Sequence, residues 1–472
     1  MHTTYFQRRA APLCLVFLSL LLAGCATFST DGGFTDVERV TKDRIGKDVK
    51  WARTDGEQNT IITRVNELLS SPLTADSAVQ IALLNNRGLQ ADFAELGIAE
   101  AELVSASRLP NPGFSFMRSK RGDEIEVERG LHFNLARLLT LPLAKKMEAQ
   151  RFGLAKGSAA TAAIRLAGAT RNAYFQALAE EETIRYMRKV RGVAESSAEL
   201  ARRMASVGNW SRLQQAREQG FYADAALNVA RAEQASVRAR EALTRLLGVW
   251  GTQTQYALPE RLPDLPKVPD ERPDIEQRAM QTRLDVMGAK LGAESLASNL
   301  GLSKATRFIN VLDIGAIRDM SNQQQTRRAY EISLELPLFD WGTSRVAKAE
   351  AMYMQAVNRA AETAINARSE VRESYQNYRV AYDIAKHYRD EVVPIKKRIA
   401  DENLLRYNGM LIGVFDLLAD ARSQIGSVSS YIEALRDFWL AESNLQQAMI
   451  GKPGSMDMPR AIMAAEAAGG GH

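Results

Sequence analysis

Between Leu143 and Leu258 the chain contains no proline, and this segment is rich in the strong helix formers Ala, Leu, Glu, Arg and Gln. Its one clear interruption is Val207-Gly208-Asn209-Trp210-Ser211, in which the glycine can reverse the chain and the serine can cap a following helix. The pattern predicts a helical hairpin with a long arm over about 143–207 and a return to about 248. At about 1.5 Å per residue the arm would extend roughly 100 Å, far beyond an ordinary globular helix.

The same design recurs in the second half of the chain. A second arm is predicted over 343–408, a turn at Tyr407-Asn408-Gly409-Met410 and a return over 412–450. Arg171, Tyr174 and Gly208 correspond to Arg372, Tyr375 and Gly409 at one offset of 201 residues, which indicates an internal duplication. Pro394 lies only in the second arm, where it predicts a kink that is either a hinge or a static bend.

A pair of strands is predicted before each long arm, over about 113–141 and about 306–336. In the last strand Tyr330, Ile332 and Leu334 alternate with polar residues. Both pairs end in Leu-Pro-Leu, where proline is expected to end the strand ladder before the helix begins. The alternation fits strands between lipid and a wet lumen, but taken by itself it favours a soluble, half-buried sheet. Because four strands cannot close a barrel, the membrane interpretation requires several chains.

The N-terminus has the pattern of an export signal. Arg8 and Arg9 precede an apolar stretch of 13 residues, and Leu22-Ala23-Gly24-Cys25 then resembles the bacterial lipobox. We therefore predict a signal peptide over 1–24 and acylation of Cys25, the alternative being an ordinary signal with a chance cysteine. Removal of the leader leaves 59 basic against 56 acidic residues, a formal charge of +3 that gives no indication of nucleic-acid binding.

Several function classes lack their sequence signatures. Outside this 13-residue stretch, too, no segment reaches 18 uninterrupted apolar residues, so any membrane crossing is predicted to use strands. The motifs GxxxxGK[ST], HExxH and GxSxG are absent, and the chain has only four histidines. We expect neither an enzyme nor a cofactor. Met456, Met458, Met463 and His472 suit soft metals, but ordinary residues of a flexible tail are the favoured interpretation, so no metal site is predicted.

Taken in order, several short motifs resemble the TolC-like outer-membrane efflux family. They are Leu73-Thr74-Ala75-Asp76-Ser77-Ala78, Leu109-Pro110-Asn111-Pro112, Arg272-Pro273-Asp274 and Leu336-Pro337-Leu338-Phe339-Asp340-Trp341-Gly342, together with both glycine turns. The resemblance covers about residues 73–451. It implies a mainly α fold in which long hairpins form a periplasmic α-barrel, while each chain gives four strands to a trimeric, 12-stranded β-barrel in the outer membrane.

The resemblance also implies partners and boundaries. The partners are a periplasmic adaptor, an inner-membrane pump of the RND or ABC type, and outer-membrane lipid around an acylated Cys25. The expected segments are 25–72 at the N-terminus, a first repeat over 73–258, a proline-rich connector over 259–272, a second repeat over 273–451 and a flexible tail over 452–472.

By resemblance, Tyr407, Asp416 and Asp420 are candidates for the periplasmic gate, although Asp416 fits equally a helix start near its positive end. The hairpin tips, which would dock the adaptor, contain Gly208, Asn209, Trp210, Ser211, Gly409 and Met410. Trp210 could anchor a partner or pack between helices. Two other functions stay open at this point, a periplasmic adaptor lipoprotein and a structural coiled-coil lipoprotein.

Overall fold

A computed structural model of the chain describes residues 27–306, 312–335 and 338–453. The predicted signal peptide over 1–24, Cys25, Leu336, Pro337 and the methionine- and histidine-containing tail from 454 onward lie outside these residues. Among the helices that are described, none is long and apolar enough to span a membrane.

Helices dominate the chain. They are α1 (Phe34–Ile45), α2 (Asp55–Leu69), α3 (Ala75–Asn85), α4 (Arg87–Ser107), α5 (Leu135–Ser206), α6 (Arg212–Leu247), α7 (Ile275–Thr282), α8 (Leu284–Ala305), α9 (Thr343–His387), α10 (Val393–Asn408) and α11 (Val414–Ile450). A 3-10 turn covers Gly251–Thr254, and a π-helical turn covers Tyr388–Val392. The four strands are β1 (Gly113–Arg121), β2 (Glu124–Asn134), β3 (Leu312–Ser321) and β4 (Arg327–Leu334).

The described chain divides into two compact units. The sheet unit contains Gly88–Ala162, Leu284–Asn366 and the described part of Met1–Gly46. The hairpin unit contains Lys47–Arg87, Ala163–Arg283 and the described part of Ala367–His472. Each unit draws on both halves of the sequence, because each half contributes a strand pair to the first and a helical hairpin to the second. The division into sequential repeats over 73–258 and 273–451 stays a prediction.

The four strands form one antiparallel sheet in the order β1-β2-β3-β4. Phe114 pairs with Leu131, Leu131 with Ala316, and Ala316 with Tyr330, so the register is continuous across both strand pairs. Among the described residues, strands β1 and β4 have a neighbour on one side only. Their outer N–H and C=O groups are therefore open to pairing with another chain.

The first long helix begins earlier than predicted. Strand β2 ends at Asn134, and α5 starts at Leu135 with Pro142 inside it, whereas the strand pair was predicted to extend to about 141. The prediction that proline ends the ladder there was wrong. The Asn134 side chain accepts a hydrogen bond of 2.6 Å from the Arg137 backbone N–H, which caps the helix. An asparagine cap thus sets the boundary, and Pro142 is tolerated further along.

The second hairpin also departs from the expected boundaries. Its return helix begins at Val414, two residues after the predicted start, because Gly413 is extended and serves as the N-cap. The π-helical turn Tyr388–Val392 directly precedes α10, which has Pro394 in its first turn. Because Pro394 has no N–H to donate to the carbonyl of Asp390 in the preceding turn, the local widening of the helix there accommodates the missing hydrogen bond.

The core of the hairpin unit is rich in aromatic rings. Phe438 is 1% exposed, and its ring centroid lies 5.6 Å from that of Tyr378 and 5.8 Å from that of Tyr382. The Tyr174 hydroxyl donates a hydrogen bond of 3.0 Å to the Leu73 carbonyl, and burial raises the pKa of Tyr174 to about 12. These contacts fix the segment before α3 against the long helix α5.

The final carbonyls of each return helix are satisfied in a similar way. The Asn85 amide donates to the carbonyls of Leu247 and Gly248 at 3.2 and 2.7 Å. In the second half, Thr282 donates to the Met449 carbonyl at 2.9 Å and Arg283 to the Ala448 carbonyl at 3.2 Å. The end of a short helix therefore caps the end of a long return helix twice in the hairpin unit.

Candidate functional site

The tip of the first hairpin, Val207 to Ser211, is a regular helix-ending turn. Gly208 has a φ of 78°, and its N–H donates to the Ala205 carbonyl at 3.1 Å. The Asn209 N–H donates to the Met204 carbonyl at 2.9 Å, which completes a Schellman motif. Ser211 then caps α6 through a capping box with Gln214.

At the same tip Asn209 is exposed and Trp210 is half-buried. The exposed apolar groups there are Val207 and Leu213. Any partner at this tip would therefore contact these two aliphatic side chains and the exposed part of the Trp210 indole.

The tip of the second hairpin uses a different residue for the reversal. Gly409 has a φ of −81°, and Met410 takes the left-handed conformation with a φ of 60°. The Met410 N–H donates to the Tyr407 carbonyl at 2.9 Å and the Leu411 N–H to the Arg406 carbonyl at 2.8 Å. This is again a Schellman motif, but the glycine lies one position too early to occupy its left-handed site. The predicted turn at Tyr407-Asn408-Gly409-Met410 is therefore present, with Met410 and not Gly409 in the left-handed position.

The side chains of this second tip are exposed. Met410 is 94% exposed and Leu411 is 77% exposed. The second tip thus presents two adjacent exposed apolar side chains.

The three gate candidates occupy different environments. Tyr407 is exposed in the last turn of α10, and Asp416 is exposed in the first turn of α11. Asp420 accepts a hydrogen bond from the Asn403 amide, so it links the two helices of its own hairpin. Asp416 is near the positive end of the α11 dipole, and its part in a gate stays a prediction.

A buried carboxylate that the sequence pattern does not reveal joins the two hairpins. Glu218 of α6 is fully buried and accepts a hydrogen bond of 2.7 Å from Ser197 of α5. Arg422 of α11 forms an ion pair of 2.6 Å with Glu218 and stacks over the Phe221 ring at 4.3 Å. Glu218 lies in a polar stretch of α6, so no periodic signal in the sequence marks it as buried.

The repeated arginines have matching roles. Arg171 forms an ion pair of 3.1 Å with Asp76 of α3, and Arg372 forms one of 2.8 Å with Glu276 of α7. A hydrogen bond from Lys47 is the main cause that lowers the pKa of Asp76, and the hydrogen bond from Arg372 lowers that of Glu276. The single offset noticed in the sequence therefore corresponds to one structural element built twice.

The two faces of the sheet differ in chemistry. One face, the apolar face, carries exposed rings and aliphatic side chains, among them Phe114 at 67%, Tyr330 at 88% and Ile332 at 71% exposure. The opposite, polar face carries every acidic residue of the four strands: Glu124, Glu126, Glu128, Asp313, Asp319 and Glu331. This amphipathic arrangement matches strands between lipid and a water-filled lumen.

On the polar face, His132 lies over two glycines. A Cβ on Gly130 would lie 2.8 Å from the His132 Nε2, and one on Gly315 would lie 2.8 Å from its Nδ1. Ser115 Oγ is 2.9 Å from Nε2, and Glu331 Oε2 is 3.8 Å from Nδ1. The ring thus covers backbone that only glycine leaves free. Among the described residues, no three His, Cys, Asp or Glu side chains are grouped to hold a metal ion.

No family model matches the sequence. The cobalt-zinc-cadmium resistance protein CzcC of Cupriavidus metallidurans is 23% identical over 282 residues, which are 57% of this chain and 64% of CzcC. A membrane protein from Pseudomonas aeruginosa matches with a TM-score of 0.68 and 19% identity, over 79% of this chain and 93% of that one. The MtrE outer-membrane channel of Neisseria gonorrhoeae, solved in its open state, matches with a TM-score of 0.67 and 17% identity, over 80% and 89% of the chains.

The chain has the fold of the outer-membrane channels. The resemblance to the TolC-like outer-membrane efflux family is confirmed at the level of the fold, as is the mainly α architecture with a small sheet. A periplasmic adaptor would show one hairpin flanked by β-rich domains, whereas the described residues contain two hairpins and a four-stranded sheet. The similar proteins above include a channel and a resistance protein, and their names state no catalytic activity.

Proposed function

We propose that this protein is the outer-membrane channel of a tripartite efflux system, which passes substrate outward without changing it chemically. The sheet carries this proposal: it has two unpaired edges, one exposed apolar face and one acidic face. In lipid every backbone polar group must be paired, so an open four-stranded sheet is unstable there. Three copies that join β4 of one chain to β1 of the next would give a closed 12-stranded barrel.

The proposal is tested on the purified full-length protein. Native mass spectrometry is expected to show a homotrimer, and planar bilayers are expected to show stepwise conductance. A protein that stays monomeric and gives no conductance steps would instead support the lipid-anchored coiled-coil alternative.

We further propose that cations are the preferred cargo. The acidic polar face would line the lumen three times over, and clustered carboxylates favour cations in a pore. The similarity to a cobalt-zinc-cadmium resistance protein agrees with this choice. Reversal potentials in a salt gradient are expected to show cation selectivity that falls in Glu128→Gln/Asp319→Asn. The charge-retaining double variant Glu128→Asp/Asp319→Glu is the control and is expected to keep the cation selectivity. Equal selectivity in the wild type and in both double variants would refute the proposal.

For opening, we propose that the second hairpin moves while the first stays as a scaffold. Pro394 and the adjacent π-helical turn interrupt only the second arm, and exposed Asp416 lies beyond its tip. An engineered disulfide that locks the second hairpin to the neighbouring chain is expected to abolish transport, and its reduction to restore it. Full transport with the bond formed would exclude this movement.

The remaining proposals concern attachment and partners. The exposed Met410 and Leu411 at one tip and Val207 at the other would contact a periplasmic adaptor, which in turn links to an inner-membrane pump of the RND or ABC type. Site-directed photo-crosslinking from Met410 in cells is expected to capture that adaptor. Acylation of Cys25 would anchor the chain to the outer membrane, and intact-mass measurement of the wild type against Cys25→Ala tests it.

A further inference from the structure

The apolar face of the sheet changes its chemistry along the strands. Near the helices its cross-strand rows are apolar: Leu312 with Leu334, then Phe133 with Ile314 and Ile332, then Phe114 with Leu131, Ala316 and Tyr330. The next row toward the turns is Phe116, Arg129, Arg318 and Arg328. Beyond it Arg118 lies in a row with Val127 and Met320, and Lys120 lies beside Ile125. We call the five cations Arg118, Lys120, Arg129, Arg318 and Arg328 the basic patch.

The basic patch has no acidic counterpart on its own face. Every acidic residue of the four strands lies on the polar face. Within the described residues, no carboxylate lies within 4.0 Å of the guanidinium group of Arg118, Arg129, Arg318 or Arg328. Arg129 and Arg318 are direct cross-strand neighbours, and so are Arg318 and Arg328. Like charges at such positions repel each other, so the patch favours an external anion between them.

The position of the patch identifies the kind of anion. Rows on one face follow each other at about 6.8 Å along a strand, or about 5 Å along the membrane normal at the usual tilt. The arginine row therefore lies about 15 Å from the Leu312 row, which is near the helix end of the sheet. Leu139 and Phe339, each five residues beyond the helix-side ends of β2 and β4, are also exposed, and we take them as the lower end of the apolar band. A full apolar band is about 25 Å tall, so the basic patch would lie at its outer boundary.

We propose that the basic patch binds the phosphate groups of anionic lipids in the outer leaflet of the outer membrane. This rests on the proposed function, because only a barrel with periplasmic helices directs the turn end of the sheet outward. Arginine suits the role because its planar guanidinium donates two parallel hydrogen bonds to a phosphate. The adjoining exposed aromatic and aliphatic rows would contact the acyl chains of the same lipid.

The test uses the full-length protein in detergent with fluorescent, doubly phosphorylated lipid A as the probe. Arg129→Gln/Arg318→Gln/Arg328→Gln is expected to weaken binding about a hundredfold, because each basic side chain near an anionic surface contributes about fivefold. The control Arg121→Gln/Arg327→Gln removes cations from the polar face of the same strands and is expected to bind like the wild type. If the triple variant does not assemble, the single variant Arg328→Gln replaces it in the test, and its affinity for lipid A is expected to fall about fivefold.

Competitors separate the sources of phosphate. Unlabelled lipid A is expected to displace the probe, whereas phosphatidylethanolamine or millimolar inorganic phosphate is not. Displacement by inorganic phosphate alone, or equal losses in the polar-face control, would overturn the proposal. Conductance measured on the same samples separates the two hypotheses. If the triple variant forms channels and binds lipid A as tightly as the wild type, only the role of the basic patch is contradicted. If the wild type forms no channels, the proposed function is contradicted.

Discussion

Met410 occupies a backbone position that glycine normally fills. A side chain in the left-handed conformation costs about 1–2 kcal/mol, and Gly409 next to it does not use its own freedom. We predict that Met410→Gly stabilises the protein by about 1 kcal/mol, while Gly208→Ala at the equivalent site destabilises it by a similar amount. Thermal unfolding followed by far-ultraviolet circular dichroism measures both. Gly409→Ala is the control and should be nearly neutral, since its Cβ would meet only ordinary contacts of 3.5 Å or more.

The His132 ring constrains both glycines that it covers. Gly315→Ala would place a Cβ 2.8 Å from the His132 Nδ1, and such overpacking typically costs about 1–3 kcal/mol. We expect Gly315→Ala to lower the yield of assembled protein, and the double variant Gly315→Ala/His132→Ala to recover much of it, because the second change removes the clashing ring. Additive losses in the double variant would show that Gly315 has another role.

At the scale of elements, the pair between Glu218 and Arg422 connects the first and second hairpins. Removal of one partner from a buried pair leaves a carboxylate without compensation and costs up to about 3–5 kcal/mol. Arg422→Met is therefore expected to destabilise the hairpin unit more than Ser197→Ala, which removes one hydrogen bond worth about 1 kcal/mol. Hydrogen exchange of α6 and α11 is the measurement. Equal protection from hydrogen exchange in both variants would mean that the packing of Phe221 and its neighbours holds the two hairpins together without the charge of Arg422.

At the scale of the whole molecule, the repeated ion pairs give stability a dependence on pH. Hydrogen bonds from Lys47 and, less strongly, Arg171 lower the pKa of Asp76, and that from Arg372 lowers the pKa of Glu276, so these contacts stabilise the folded protein above the ordinary carboxyl pKa near 4. That contribution is lost as the pH falls through the lowered values. We predict that the melting temperature of the wild type decreases as the pH is lowered below about 4. In Asp76→Asn/Glu276→Gln the fall should be shallower, and an unchanged slope would assign the acid sensitivity to other carboxyls.

Much of this architecture follows from local sequence, because helix formation and strand alternation depend on near neighbours. The absence of proline between Leu143 and Leu258 predicts the long hairpin, and the repeated Arg171 and Arg372 predict the duplication. Where one local signal competes with another, prediction failed. The Asn134 cap begins α5 before Pro142, and the register of the second tip places Met410, not Gly409, in the left-handed position.

Contacts between distant segments were decided by the tertiary structure alone. No sequence period reveals that Glu218 is buried against Arg422, because the two residues are 204 positions apart and each lies in an ordinary polar stretch. The same holds for the sheet. Alternation within one strand predicts two faces, but only the pairing of β2 with β3 joins the strand pairs of the two halves and aligns Arg129, Arg318 and Arg328 in one row. Register across strands is a property of packing, and packing is not encoded in any single segment.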